Sequence, residues 1–454
     1  MLYYYYMYVM GRIRKKYFNQ IPEDSGQYLK SRRAFTFDGI TALTILSMTL
    51  NSYLSGFLQF IGVSASFNGI ISAIPTLAAF SQPFGAAFGQ RFKKKKLLVS
   101  IGAITHRTML TLMFVVPFVV HNITLKITLV VILFFGAHFI GSFISPAATN
   151  WIISLTPQRL RGRYFSIREL YCVVISAVVC LGAGYMLDVF KADSKQEIGY
   201  LWYAVILGVL TIVNFISLTT VMEPESVEEP TNDITLIQSF LLPFKEKLFR
   251  PIIIMNIIWN LGIQVAVPYW GLYMVSDLAI PYATISIIGI ICGVVKAFSV
   301  RWWGKVADRK SWALVCKVAI SIIAITHFAN LFLVKSNASW LFPISAIIAN
   351  IGWSVIGIAF VNIQYDFAPV KGRTMYVGVN AAVTGIIGFF GVFIGAFIME
   401  VVAKHNLAIF GLPIRGQQIL MLISGTLLFT CAVYIHFVIQ KNKKIINKTE
   451  GIAV

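Results

Sequence analysis

Asn150-Trp-Ile-Ile-Ser-Leu-Thr-Pro157 and Asn362-Ile-Gln-Tyr-Asp-Phe-Ala-Pro369 carry an asparagine and a proline at the same spacing, 212 residues apart. The offset holds beyond these two stretches: Arg159 falls on Lys371, Arg161 on Arg373, and Asp188 on Glu400. Polar and punctuating residues that coincide at one offset are harder to obtain by chance than apolar ones. The chain therefore reads as a duplicated unit, and each copy of the stretch closes an apolar run and enters a basic loop.

Composition places that unit in a membrane. Of 454 residues, 57% are hydrophobic and 12% charged, where a soluble domain carries about 25% charged. A mean hydropathy of +0.77 argues against aqueous catalytic folds such as an α/β barrel. The net charge of +20, from 38 Lys and Arg against 18 Asp and Glu, would suggest nucleic acid in a soluble protein. Here the cations fall in short clusters between apolar runs, the pattern of a polytopic membrane protein, and no nucleic acid is expected. The five cysteines (Cys172, Cys180, Cys292, Cys316 and Cys431) all lie inside apolar runs without metal-ligand spacing, so neither a disulfide framework nor a metal site is expected.

A helix needs about 20 apolar residues to cross a bilayer. Twelve candidate spans follow, near 35–58, 67–90, 97–119, 125–149, 166–188 and 199–222, then 250–275, 282–303, 312–334, 340–364, 374–399 and 417–440. An acidic, Pro-punctuated stretch from Glu223 to Asp233 divides them into two blocks of six. The organisation expected is a basic, Tyr-rich leader at 1–33, a six-helix bundle at 34–222, a linker at 223–249, a second bundle at 250–440 and a tail at 441–454. Within the linker, Leu236, Phe240, Phe244 and Leu248 recur every four residues and predict an interfacial helix interrupted by Pro243. Basic residues cluster in the leader, at Arg91 and Lys93–Lys96, at Arg159–Arg168, at Arg301–Lys310, at Lys371 and Arg373, and in the tail. The opposite loops hold only Lys126, Lys191, Lys195, Lys335, Lys404 and Arg415. By the positive-inside rule both termini face the cytoplasm, most naturally of the cell membrane. The sequons Asn122-Ile-Thr124 and Asn337-Ala-Ser339 then face outside in very short loops.

The loop after the eighth span reads Gly304-Lys-Val-Ala-Asp308-Arg309-Lys-Ser311. It resembles the G-x-x-x-D-R-x-G loop of the major facilitator superfamily, with Ser311 in place of the last glycine. Its counterpart in the first half keeps Arg91 and the lysines but has Gln90 at the acidic position. The resemblance implies an all-α membrane protein of twelve transmembrane helices arranged as two pseudo-symmetric six-helix bundles. It also implies that the bundles rock around a central cavity lined by the first and fourth helices of each half. Gly304 is expected to let two helices approach closely, and Asp308 to accept from the free amides of the helix beginning near Arg373. Gly304, Asp308, Arg309, Gln90 and Arg91 are thus the gating-loop candidates.

Polar groups in hydrocarbon are functional candidates by default. Arg107 lies about 15 Å of helix rise beyond Leu97, at mid-membrane. It could bind an anionic solute or pair structurally, and His106 beside it could titrate near neutral pH. Lys296 could serve an anion or snorkel to the interface. Polar stripes at helical spacing add Asn51, Ser55, His138, Ser142, Asn150, Asn256, Asn260, Gln264, Asn350, Trp353 and Asn362 as substrate candidates. Each could instead serve as an interhelical hydrogen bond. No carboxylate occupies the middle of a span. Asp38, four residues into the first, is with His106 the candidate for ion coupling.

These features predict a transporter that moves a small polar or anionic solute by alternating access. It would work as a monomer without a cofactor and with a proton or sodium ion as possible partner. Proton-linked efflux of amphipathic drugs is the alternative, but the fifth-helix stretch Cys180-Leu-Gly182-Ala-Gly184-Tyr-Met-Leu-Asp188 lacks the proline of antiporters in the superfamily. A membrane enzyme or receptor on the same fold is a further alternative, opposed by the absence of a catalytic cluster and by tails too short for an output domain.

Overall fold

A computed structural model describes residues 26–91, 94–156, 158–223, 243–369, 373–405, 408–409, 412–413 and 415–441. Its first helices are α1 (Gly26–Met48) and α2 (Asn51–Phe60), then α3 (Ala65–Ser72), α4 (Ile74–Ala78) and α5 (Gln82–Arg91). Four long helices follow: α6 (Lys95–Val119), α7 (Ile123–Ser154), α8 (Gln158–Ala192) and α9 (Gln196–Thr219). The second half comprises α10 (Arg250–Gln264), α11 (Val267–Leu272), α12 (Tyr282–Arg309), α13 (Trp312–Ala329), α14 (Ala338–Phe367), α15 (Arg373–His405) and α16 (Gly416–Tyr434). A two-residue antiparallel ladder, Ala408–Ile409 with Leu412–Pro413, joins the last two.

Ten helical segments among the described residues are long and apolar enough to cross a membrane. Of the two remaining expected spans, the one near 35–58 is divided between α1, whose 23 residues include Lys30, Arg32, Arg33 and Asp38, and the short α2, and the one near 67–90 is built from shorter helices; the breaks in both are written in their residues. In the first, Thr44 and Thr49 donate to the carbonyls of Ile40 and Ile45, a back-bonding that loosens a helix. Asn51 then takes a left-handed φ of 53°, a conformation asparagine tolerates better than most residues. In the second, Pro75 at the start of α4 has no N–H to extend the preceding helix. Pro268 breaks the seventh span in the same way, between α10 and α11.

The start of the first span departs from expectation. Helix α1 begins at Gly26, so residues 26–33 belong to it and not to the leader. Its early turns are tied down, since Ser31 Oγ accepts from Met222 N at 3.0 Å and Arg32 Nη1 donates to Leu155 O at 3.3 Å. Asp38 consequently sits well inside a helix rather than near its entry. The expected linker helix falls largely on residues outside those described.

Each half has its own packed interior. Leu54, Phe57, Leu110, Phe134 and Leu207 centre one, and Phe249, Trp303, Ile320, Ile356 and Leu428 the other. Phe298, Phe332, Phe397 and Phe437 are exposed on the outside, as lipid-facing side chains should be. All five cysteines are buried and free.

Contacts between the halves gather at the end away from the basic clusters. There α11 packs on α2, α12 on α8, and α15 on α3 and α4. The Tyr53 ring stacks on Tyr282 with centroids 5.4 Å apart, and its hydroxyl pairs with Ser286 Oγ at 2.9 Å. The Asp188 carboxylate accepts from the backbone N–H of Tyr282 and of Ala283, each at 2.9 Å, and so caps α12 from across the seam. Gln59 donates to Ser276 Oγ at 3.0 Å, and Gln264 to Thr76 Oγ1 at 2.7 Å nearer the middle. Gly271 lies against the carbonyl of Asn51 and the hydroxyl of Ser55, where a methyl group would collide.

Candidate functional site

A cavity of about 480 Å³ lies between mid-bundle and the basic end. Its walls come from the first half alone. Asp38, His106, Arg107, His138 and Arg168 carry its chemistry, with Ser142, Ser145 and Thr149 along α7 and an apolar lining that includes Phe35, Val99, Ile152 and Phe165. A second cavity of about 270 Å³ shares His106, Arg107 and Arg168 with it and adds Glu169, which is exposed.

Arg107 and Asp38 explain one another. A buried cation needs a counter-charge, and Arg107 Nη2 lies 3.4 Å from Asp38 Oδ1 with both side chains about one-tenth exposed. Asn214 on α9 completes the seat by donating to Asp38 Oδ1 at 2.9 Å, to its carbonyl at 3.0 Å and to Thr41 Oγ1 at 2.8 Å. Sequence spacing did not single out Asn214; its signal is an amide alone in the apolar run Ile212-Val-Asn-Phe-Ile216. Arg107 is thus a structural ion pair and a cavity wall at once, because Nε stays buried without a partner among the described residues.

The two histidines behave alike. His106 and His138 meet edge-to-face at 5.8 Å between ring centroids, and Nε2 of each is buried and unpartnered among the described residues. Phe134 packs against His138 at 4.5 Å and fixes its plane. Gly141 faces His106, so that a methyl group there would press on the ring. On the other wall Arg168 donates Nε to Phe35 O at 3.3 Å, and its guanidinium lies 5.7 Å from the Phe35 ring centroid. Gly39 leaves the space that this guanidinium fills. Arg168 was read from sequence only as a topology marker, and the glycine opposite it lies on another helix.

The remaining candidates divide by half. Ser142 lines the cavity and Asn150 is exposed further along α7. Asn51 and Ser55 belong to the seam with α11, and Ser55 Oγ has no hydrogen-bond partner among the described residues. In the second half the amides turn back on their own helices. Asn256 donates to Ile252 O, Asn260 to Asn256 O, Asn350 to Ala346 O and Asn362 to Ile358 O, all at 2.8–2.9 Å. Gln264 reaches across to Thr76, and Trp353 packs edge-on against Trp259 at 5.4 Å. Lys296 is exposed and lines neither of the two cavities beside Arg107.

Two features of the gating loop bear on its expected role. Among the described residues no atom approaches within 4 Å of where a Cβ on Gly304 would be, so no described helix crosses closely at this glycine. Asp308 is exposed, and its helix α12 packs on α14 and, across the seam, on α8; the first side chains of the helix beginning at Arg373, the expected partner, lie outside those described. Ser311, the departure from the family loop, caps α13 by accepting from Leu314 N at 3.2 Å. Arg309 is exposed, and the side chains of Gln90 and Arg91 lie outside those described.

The family model described as Major Facilitator Superfamily matches residues 39–392. No curated protein matches the sequence. Among solved structures, the nucleoside transporter NupG aligns with a TM-score of 0.65 at 12% identity, covering 91% of this chain and 98% of its own. A D-xylose–proton symporter aligns with 0.64 at 14%, covering 90% and 96%. A bacterial homologue of the human lysosomal transporter Spinster, in an inward-facing and unoccupied conformation, aligns with 0.62 at 14%, covering 93% and 98%. At such identities these likenesses establish the fold.

Proposed function

This chain belongs to the Major Facilitator Superfamily, and on that premise we propose that it is a secondary transporter carrying a small polar or anionic solute by alternating access. We place both termini and the basic end in the cytoplasm, in the cell membrane, from the distribution of Lys and Arg. With that orientation the conformation described is closed outside and open inside.

The observation that carries the reading is the asymmetry between the two ends. Tyr53, Asp188, Gln59 and their partners bind the halves together at one end, while the polar cavity lies toward the other. Alternating access requires this arrangement and a second one in which the outer contacts part. Asp38 supplies a coupling group. It is a buried carboxylate whose charge is balanced by Arg107, and a solute that draws Arg107 away leaves that charge in need of a new partner.

Single cysteines test the reading against a background of five buried native thiols. Thr149→Cys, exposed on α7, should react with a membrane-impermeant maleimide from the cytoplasmic face, and Ser55→Cys, buried in the seam against Gly271, only poorly from outside. Adding a transported solute should raise labelling at Ser55→Cys. Labelling of Thr149→Cys preferentially from outside would overturn the orientation, and patterns that never change with solute would overturn alternation.

A further inference from the structure

We propose that the cavity of the first half is a recognition site for a small organic monoanion, its acid group held between the guanidinium groups of Arg107 and Arg168. The proposal rests on the transport reading and adds to it the charge of the cargo.

Three observations converge. The first is charge. Two guanidinium groups and a single carboxylate, Asp38, line the larger cavity, and Glu169 is an exposed residue that lines only the smaller one. Asp38 lies against Arg107, so the excess positive charge of the wall rests with Arg168. Among the described residues of this wall one cation is in excess and calls for a counter-ion, and one negative charge balances it where two would overshoot.

The second is unspent hydrogen-bonding capacity. Arg107 and His138 are each more than nine-tenths buried. Arg107 Nε and His138 Nε2 both find no partner among the described residues, and His106 Nε2 shares their condition. Buried polar atoms are almost always paired in folded proteins. The three belong to residues that line one cavity and have almost no surface of their own in this conformation; in the proposed complex a bound acid draws them out and completes their pairing.

The third is that the seats are cut to shape. Gly39 makes room for the Arg168 guanidinium, and Gly141 faces the His106 ring at the distance of a tight contact. Neither glycine has a positive φ, so backbone conformation does not demand them. Space for the basic side chains is what these glycines provide. With Ser142, Ser145 and Thr149 along one wall and Phe35, Val99, Ile152 and Phe165 on others, the site suits an acid whose body carries both apolar surface and hydroxyl or carbonyl groups.

The test uses the full chain in detergent and compares matched pairs that differ in charge: gluconate with glucose, and benzoate with benzyl alcohol, with lactate as a third acid. Binding is read by equilibrium dialysis and by thermal unfolding. At least one acid should bind about tenfold or more tightly than its neutral counterpart, and Arg168→Gln should weaken that acid by about tenfold while leaving the neutral compound unchanged. Because Arg107→Gln alone strands Asp38, the double variant Asp38→Asn/Arg107→Gln is used for that side of the site, with the same loss expected. Neutral counterparts binding as well as the acids, acid binding that survives Arg168→Gln, or no binding by any of the three acids would each overturn the proposal. A neutral compound that binds and changes cysteine labelling would leave the transport reading standing with an uncharged cargo. Failure of labelling to alternate would instead remove the transport reading itself.

Discussion

Arg107 was legible from its depth along an apolar helix, and its answer, Asp38, was legible as the nearest carboxylate to the pathway. What the chain could not disclose was that they meet, since 69 positions separate them and the contact is made between two helices. Asp38→Asn leaves the guanidinium buried without its counter-charge, and about 3–5 kcal/mol of stability should be lost. The readout is a lower unfolding temperature in detergent, and Asp38→Asn/Arg107→Gln should recover most of it, because a neutral amide pair has no stranded charge. Gly39→Ala places a methyl group where the Arg168 guanidinium lies. Overpacking of that kind costs about 1–3 kcal/mol, so a modest fall in unfolding temperature should accompany movement of Arg168 out of its seat. Unchanged stability together with unchanged ligand affinity would show that the seat is not needed.

Helices carry the second scale, and here a sequence pattern misdirected in an instructive way. A stripe of asparagines stepping by four reads as a polar face turned toward a cavity. The same step of four is what an amide needs to reach the carbonyl of the preceding turn, and Asn256, Asn260, Asn350 and Asn362 all do so. Spacing alone cannot separate the two uses. Breaks in the helices were more readable than they were read: Pro75 and Pro268 mark two of them, and Asn51 after a threonine-rich turn marks a third. Asn51→Val forces a β-branched side chain into a left-handed φ and should destabilise by about 1–2 kcal/mol, while Asn51→Gly should be close to neutral; thermal unfolding of the two variants side by side decides it. Asp188 holds the first turn of α12 through two charge-assisted hydrogen bonds. Asp188→Asn should weaken the outer seam by about 1–2 kcal/mol, enough to shift the balance toward the outward-open form by about tenfold. Distances between spin labels at the outer ends of α2 and α12 would report it, and an unchanged distribution would count against the seam as a gate.

At the scale of the whole molecule, the all-helical membrane fold and membership of the superfamily were open to the unaided sequence. The division of polar chemistry between the halves was not. It depends on which amides satisfy themselves and which nitrogens are buried without a partner among the described residues, and only packing reveals that. If the halves rock, joining them across the outer seam must stop the cycle. A short thiol-reactive cross-linker between Gln59→Cys and Ser276→Cys, both exposed there, should abolish solute movement in proteoliposomes, and reductive release should restore it; continued transport by the cross-linked protein would rule out rocking about this seam. The walls of the cavity have one more consequence. A bound molecule biases a conformational equilibrium only through a difference in its affinity for the two states. Cargo enclosed by the first half alone can make that difference only through its own walls, by drawing Arg107 from Asp38 or Arg168 from the Phe35 carbonyl. The pull on the outer seam is then transmitted from one half, and a solute that leaves both contacts in place should bind without turning the carrier over.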